Sequence, residues 1–440
     1  MEEINSGAGA GAVALGPFRQ AAAGRSGPAA TALAIVGAAA LLVGIASQPV
    51  AVPGPAVDGG AMSRQVAAIM SDWHISEGEA ILRIERQDDA GRLAALLANR
   101  WPHTYGGLWI DHADGGAVVI AVTRPGTGIA EARALGLAGV SREVVVERSL
   151  SELEAVGAAA GRSAERAFAR AGDHPTSAID VKRNVVSIAM PKPASARLEL
   201  RQERYASAMG KAFGSAVVIT TGGRTATFDD GCTDSACDPP LRGGISIKSA
   251  KNCSTGFVVT VNATGARAVT TAGHCGPTST GVYTHHSISI GSTVAFQDSG
   301  DVDSRAVSIR DTTYWAPENW VFDQGFGGRL AKPSYEISSR ATTAATVVGT
   351  YLCRTGRNTD TECGEVTVLG GRRSGNRGLI GLDACASGGD SGGSVYDPAN
   401  NRAYGTHVSS TQTGCTATEI SYFSPIESIE NALNVRVLTQ

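Results

Sequence analysis

Apolar residues three and four positions apart recur between Ser63 and Asn99, among them Ile69, Trp73, Ile81, Ile84 and Leu93, and predict helix there. The period then shortens to two. Residues 107–123, Gly-Leu-Trp-Ile-Asp-His-Ala-Asp-Gly-Gly-Ala-Val-Val-Ile-Ala-Val-Thr, read as two strands about a turn at Asp114-Gly115. Helical spacing returns over Ile129–Leu137 and Leu150–Ala171, with a strand at Glu143–Glu147 between them and a second strand pair near Val181–Met190. Helix and hairpin thus occur twice, as a duplicated α/β unit would have them. After about residue 226 the helical period disappears. Short β-branched runs alternate with Gly, Ser, Thr and Asn, the pattern of an antiparallel barrel or sandwich, and only Ile426–Leu433 reads as helix. The boundary falls within Gly222–Leu241, where Thr, Asp, Gly and Pro cluster.

The N-terminal residues follow neither pattern. Gly27–Val57 carries no charge, Ala29–Ala46 is apolar apart from Thr31, and Arg19 and Arg25 stand just before it. Residues 1–58 therefore read as a signal peptide with a long charged leader, or as an N-terminal anchor if uncleaved. The expected location is secreted and extracellular. A membrane enters only through that segment.

Composition narrows the classes. The 440 residues have a formal net charge of -3, so no basic surface invites nucleic acid. All eight cysteines lie in the second half, and none of their spacings is the two-residue gap of a paired metal ligand set. An even number confined to one region reads as disulfides formed in an oxidising compartment. No metal and no cofactor are expected.

Two short motifs carry chemistry. In Gly388-Gly-Asp-Ser-Gly-Gly-Ser394, glycines flank a serine, which lets the backbone turn tightly and frees N–H groups to face a developing oxyanion. In Thr271-Ala-Gly-His-Cys275 a histidine follows an apolar strand and stands beside a half-cystine, a placement fit for a general base. Such a histidine needs an acid to orient it, and Ser299–Ile309 offers two aspartates. Asp303, followed by apolar Ala306, Val307 and Ile309, fits a buried strand better than Asp301, which would put Ser304 and Arg305 at core positions. Arg305 sits uneasily with either choice.

Together the motifs resemble the chymotrypsin-like serine peptidase family, in its bacterial streptogrisin and α-lytic branch, with the histidine first and the serine last. The resemblance extends to Cys353-Arg-Thr-Gly-Arg with Glu362-Cys-Gly, to Ala384–Ser394, to Ala403-Tyr-Gly-Thr with Gly414-Cys, and to Phe423-Ser-Pro-Ile-Glu. Residues 106–123 resemble the prosegment of such a secreted precursor. The fold implied is two antiparallel six-stranded β-barrels over residues 226–440, preceded by an α/β prosegment over 59–225.

The activity implied is endopeptidase, with polypeptides as substrates and the prosegment as intramolecular chaperone and inhibitor. His274 would be base, Asp303 its orienting acid and Ser391 nucleophile, with an oxyanion hole from Gly389 and Ser391. The pairings implied are Cys253–Cys275, Cys353–Cys363 and Cys385–Cys415, leaving Cys232–Cys237 as a local clip. Ala386, His407 and Ser410 would line the specificity pocket. There His407 and the hydroxyls would either receive a carboxylate or pack behind a wall that accepts an apolar side chain. Two rival readings are an inactive peptide-binding homologue and a β-barrel surface protein for adhesion.

Overall fold

The computed structural model describes residues 59–168, 175–221, 240–277, 281–322, 334–411 and 419–439. The expected leader or anchor at 1–58, Cys232, Cys237 and Cys415 lie outside the described residues. No helix among the described residues is long and apolar enough to cross a membrane.

The helical period that begins the chain's pattern makes two helices. Gly59–Trp73 ends where His74 takes a left-handed φ of 52°. Ser76 then caps Glu77–Arg100, its side chain accepting from the Glu79 N–H, and Ala80, Ile84, Leu93 and Leu97 form part of the buried stripe. An antiparallel hairpin follows, Tyr105–Asp111 with Ala117–Val122, turned through Gly115 and Gly116 at φ of 61° and 71°. The short helix Ile129–Ala134 carries the chain across, so that Ser141–Val145 pairs parallel to the hairpin's second strand.

The same order then repeats. Ser149 and Glu152 bond reciprocally to open the helix Leu150–Ala167, and the hairpin Thr176–Asp180 with Val185–Met190 follows. A crossover helix, Ala196–Phe213, brings Val217–Thr221 parallel to Val185–Met190. The duplicated unit is thus visible in the topology, completed by this crossover helix and final strand, which the apolar spacing does not announce.

In the β-rich half, two sheets share a core. The later one is the closed, six-stranded barrel. Tyr351–Gly356, Ser394–Asp397, Arg402–Ser410, Ser421–Pro425, Asn376–Leu382 and Asp360–Arg373 follow in hydrogen-bonded order, and the last pairs back to the first. The earlier one is an open, curled half-barrel rather than a second closed barrel of six. Its eight strands run from Val435–Val437 through Val258–Val261, Arg267–Thr271, Val302–Ser308, Ile288–Ser299 and Val282–His285 to the hairpin Ser246–Lys248 with Asn252–Ser254. The C-terminal strand extends one edge and that hairpin the other, which leaves the edges unpaired with each other among the described residues. Between the two sheets, Phe257, Val302 and Ala306 pack with Tyr396, Ala403 and the helix residues Ile426, Ile429 and Leu433.

The N-terminal region joins this body by its backbone. Thr176–Asp180 pairs antiparallel with Asp360–Arg373, at Leu369 opposite Ile179 and Arg372 opposite Ser177, so its sheet continues the barrel wall. Three residues of the β-rich half, Val347, Val348 and Tyr351, each complete a different apolar cluster of the N-terminal region. Gln65 donates to the Tyr351 carbonyl at 2.7 Å, and Arg402 grips Asp88 through two bonds of 2.5 and 3.0 Å. Gly349, at φ 92°, admits no side chain, because a Cβ there would lie 2.5 Å from the Ile110 carbonyl oxygen.

His112 stands at the centre of this junction. Its Nε2 lies 2.8 Å from the Gly349 carbonyl, with Trp73 stacked on one side and Tyr351 edge-on. Burial pushes its pKa down from 6.5 to about 4, so the neutral ring is the one that fits. Stability from this group is therefore complete above pH 6.5 and is lost as pH falls toward 4. Glu365, pushed up by burial to about 7, works in the opposite sense from pH 7 down to 4.5. A comparison of variants separates the two. His112→Gln should remove roughly 2–3 kcal/mol of the stability lost between pH 7 and 4.5. Urea unfolding at both pH values measures it, and an unchanged acid loss in the variant contradicts the assignment.

Candidate active site

The strand Arg267–Thr271 ends in a single turn, Gly273–Cys275, that lifts His274 to the junction of the two sheets. Cys275 is bonded to Cys253, which fixes the turn's far end. Gly273 leaves the room needed: a Cβ there would lie 2.2 Å from the Gln297 carbonyl oxygen and 2.9 Å from Asp303 Oδ1. Asp303 comes from the buried strand Val302–Ser308 and holds the turn twice. Its Oδ1 accepts from the His274 backbone N–H at 3.0 Å, and its Oδ2 lies 2.8 Å from His274 Nδ1. The Asp303 side chain is 4% exposed, and Asn376 Nδ2 donates to its Oδ2 at 3.4 Å. Asp301, the alternative, is 70% exposed and pairs with Arg377 instead.

Arg305 resolves its own awkward place in the strand. It is fully buried, donates through Nε and Nη2 to the Gly273 carbonyl at 3.2 and 2.9 Å, and reaches the Pro277 carbonyl at 2.9 Å. Its Nη1 donates to Thr293 Oγ1, and its guanidinium lies 4.2 Å over the Phe296 ring. The cation therefore pins the backbone of the histidine turn from below.

The serine turn is shaped by glycines and one buried ion pair. Gly389 and Gly392 have φ of 116° and 90°. A Cβ on Gly392 would meet Thr271 Oγ1 at 2.3 Å, and one on Gly393 the Thr355 carbonyl oxygen at the same distance. Gly392 N–H donates to the His407 carbonyl and His407 N–H to the Gly393 carbonyl, which ties the turn to Arg402–Ser410. Asp390 and Arg354, both with fully buried side chains, face each other at 3.4 Å.

Burial alone pushes the Asp390 carboxyl up. Arg354 and hydrogen bonds from Thr359, Ser387 and Asn358 outweigh it and hold the group ionised, below its ordinary range. The N–H groups of Gly389 and Ser391 donate to no acceptor among the described residues, so both remain open to a bound oxygen. Ser391 Oγ donates to the Val408 carbonyl at 3.4 Å. Of these supports, the charge pair Arg354–Asp390 and the buried Arg305 were not read as functional from the sequence, although Arg305 drew attention as a charge at a core position.

The pocket candidates Ala386 and His407 are buried, while Ser410 is half-buried at the end of its strand. Burial pushes His407 down to about 3, so it is uncharged at neutral pH. The pairs Cys253–Cys275 and Cys353–Cys363 are formed. Cys385 is disulfide-bonded, its expected partner lying outside the described residues.

No protein-family profile matches the chain. Among solved structures, the chain is similar to Cellulomonas bogoriensis chymotrypsin, with 26% identity over 46% of this chain and 99% of that one and a TM-score of 0.37. Thermobifida fusca protease A is similar at 25% identity over 46% of this chain and 99% of that one, also with a TM-score of 0.37. Among characterised proteins, streptogrisin-C of Streptomyces griseus is 28% identical over 421 residues, 93% of this chain and 83% of its own length. That relation spans the α/β region and the β-rich half alike, and its motifs meet where the two sheets do. Over most of its length the chain is thus similar to a chymotrypsin-like serine protease of the bacterial streptogrisin branch.

Proposed function

We propose that the chain is a secreted serine endopeptidase, made as a precursor, that cuts polypeptides through an acyl-enzyme. One observation carries the reading: a histidine held at both N–H groups by a buried carboxylate stands beside a serine turn with two unengaged backbone N–H donors. Asp303, bonded to Nδ1, would keep His274 in the tautomer whose Nε2 can accept a proton. The Ser391 hydroxyl, now turned to the Val408 carbonyl, would swing to that nitrogen when substrate enters, since such bonds tighten only in the complex.

Ser391 Oγ then attacks the scissile carbonyl as His274 takes its proton. The oxyanion is received by the N–H groups of Gly389 and Ser391, and His274 returns the proton to the leaving amine. Water repeats the cycle to free the acyl group. The pocket for the residue before the scissile bond would be lined by Ala386, the uncharged His407 and Ser410. The two formed disulfides and the apolar leader support secretion, each bridge contributing about 2–4 kcal/mol.

Ser391→Ala and His274→Ala should each lower kcat for peptide hydrolysis by about 10⁴ or more while leaving the fold intact, because they act as one proton-transfer unit. Asp303→Asn should lose far more than Asp301→Asn, whose parent side chain is exposed. Activity within tenfold of the parent in the serine or histidine variant contradicts the reading, and the reverse order of the aspartates moves the acid to Asp301.

Residues 59–225 would act as chaperone and inhibitor of the β-rich half until cut away. Support comes from the shared sheet and from the three clusters that Val347, Val348 and Tyr351 complete. A barrel built from distant pairings folds slowly, and a preformed edge lowers that cost. Residues 226–440 refolded alone should recover activity slowly and in low yield, and recover it quickly when 59–225 is added in trans. Equal rates and yields with and without it would sink the proposal.

A further inference from the structure

Next to the serine turn runs an open groove of about 720 Å³, lined among others by Ser246, Lys248, Asn252, His286 and Arg357. Two of these side chains are cations at neutral pH, and no carboxylate among the described residues lines the groove. Ser254 joins it to the reacting centre. Its N–H donates to the Ser391 carbonyl at 2.8 Å, and its hydroxyl both accepts from the Arg357 N–H and donates to the Gly389 carbonyl at 2.9 Å. The Arg357 side chain is held in turn by Ser246, to whose hydroxyl its Nε donates at 3.0 Å. Its Nη1 lies 3.1 Å from the place a Cβ on Gly389 would take, so the guanidinium abuts the oxyanion turn itself.

The side of the cleft follows from the proton's route. His274 hands its proton to the leaving amine, so the segment after the scissile bond departs past the histidine turn. That turn is bridged through Cys275 to Cys253, in the hairpin that carries Lys248 and Asn252. The opposite side belongs to Arg402–Ser410 and the pocket residues. Resting on the peptidase reading, we propose that this groove receives carboxylate side chains from the first residues after the scissile bond, and that Arg357 and Lys248 select for them. Arg357 presents a planar fork suited to a carboxylate, already fixed through Nε, whereas Lys248 supplies an exposed point charge. Because the groove is open to solvent, the preference is modest and falls with salt.

The test uses enzyme recovered from expression of the full chain and peptides identical except for Glu, Gln or Lys at the second position after the cut. At low salt, kcat/KM should be about fivefold higher for Glu than for Lys, and the ratio should shrink toward one at about 0.5 M NaCl. Arg357→Gln should lower the ratio. Lys248→Glu, on an exposed hairpin position away from the reacting atoms, should bring it to one or reverse it. A parent ratio within twofold of one, or a ratio that Lys248→Glu leaves unmoved, overturns the inference while the peptidase reading stands. A parent that cuts none of these peptides contradicts both.

Discussion

The turn that presents Ser391 keeps its shape because Asp390, beside it, is a charge buried without water and answered by Arg354. Taking two charges out of water costs several kcal/mol, repaid only by close pairing and full hydrogen bonding. Asp390 has both: its oxygens also accept from the backbone of Asn358, Thr359 and Ser387. Those three donors come from two loops, Asn358 and Thr359 from one and Ser387 from the approach to the serine turn, so the carboxylate gathers both loops into one corner. The glycines permit the resulting backbone path, and the ion pair selects it. Arg354 is itself anchored in a strand whose neighbour Cys353 is bridged to Cys363. Removing the cation would leave a buried, unpaired carboxylate in the corner that carries Ser391.

The histidine corner is built by the same means with the charges exchanged. There the buried group inside the fold is the cation Arg305, and its partners are the Gly273 and Pro277 carbonyls rather than an acid. Asp303 above it thereby makes no ion pair with Arg305 and bonds His274 at Nδ1 and at the backbone N–H. The two corners belong to different sheets, and Ser254 spans them: it donates to the backbone of Ser391 and Gly389, and its carbonyl accepts from Thr271 Oγ1 on the histidine side. His274, Asp303 and Ser391 thus rest on strands and buried charges, and their geometry does not depend on long loops.

Much of this was legible in the residues. Gly-Asp-Ser-Gly-Gly and Gly-His-Cys carried both corners, because a tight turn demands glycine and a bridged turn demands cysteine. The burial pattern after Asp303 pointed to the carboxylate that meets His274. Other features left weaker traces. The helix Ala196–Phe213 buries only Leu198, Gln202, Tyr205 and Met209, a narrow stripe that includes an amide, so its apolar period is faint. The break at His74 was hidden because apolar residues continue on both sides of it. Arg305 and Arg354 look like surface charges in one dimension. Only the carbonyls and the carboxylate brought to them by distant strands make burial tolerable. The closure of one sheet and openness of the other depend on which strands the chain's end and the 246–254 hairpin extend, a matter of tertiary pairing.

The N-terminal region adds strands to the barrel and supplies hydrophobic partners for residues 347–351, so the two regions are one folded body. The central claim is that Ser391, and no other hydroxyl of the chain, is the activated nucleophile. It is tested most directly by treating the purified protein with a fluorophosphonate and mapping the adduct by mass spectrometry. The account predicts a single stoichiometric adduct on Ser391 that His274→Ala abolishes. An adduct on another residue, or labelling of Ser391 that is indifferent to His274, would contradict it.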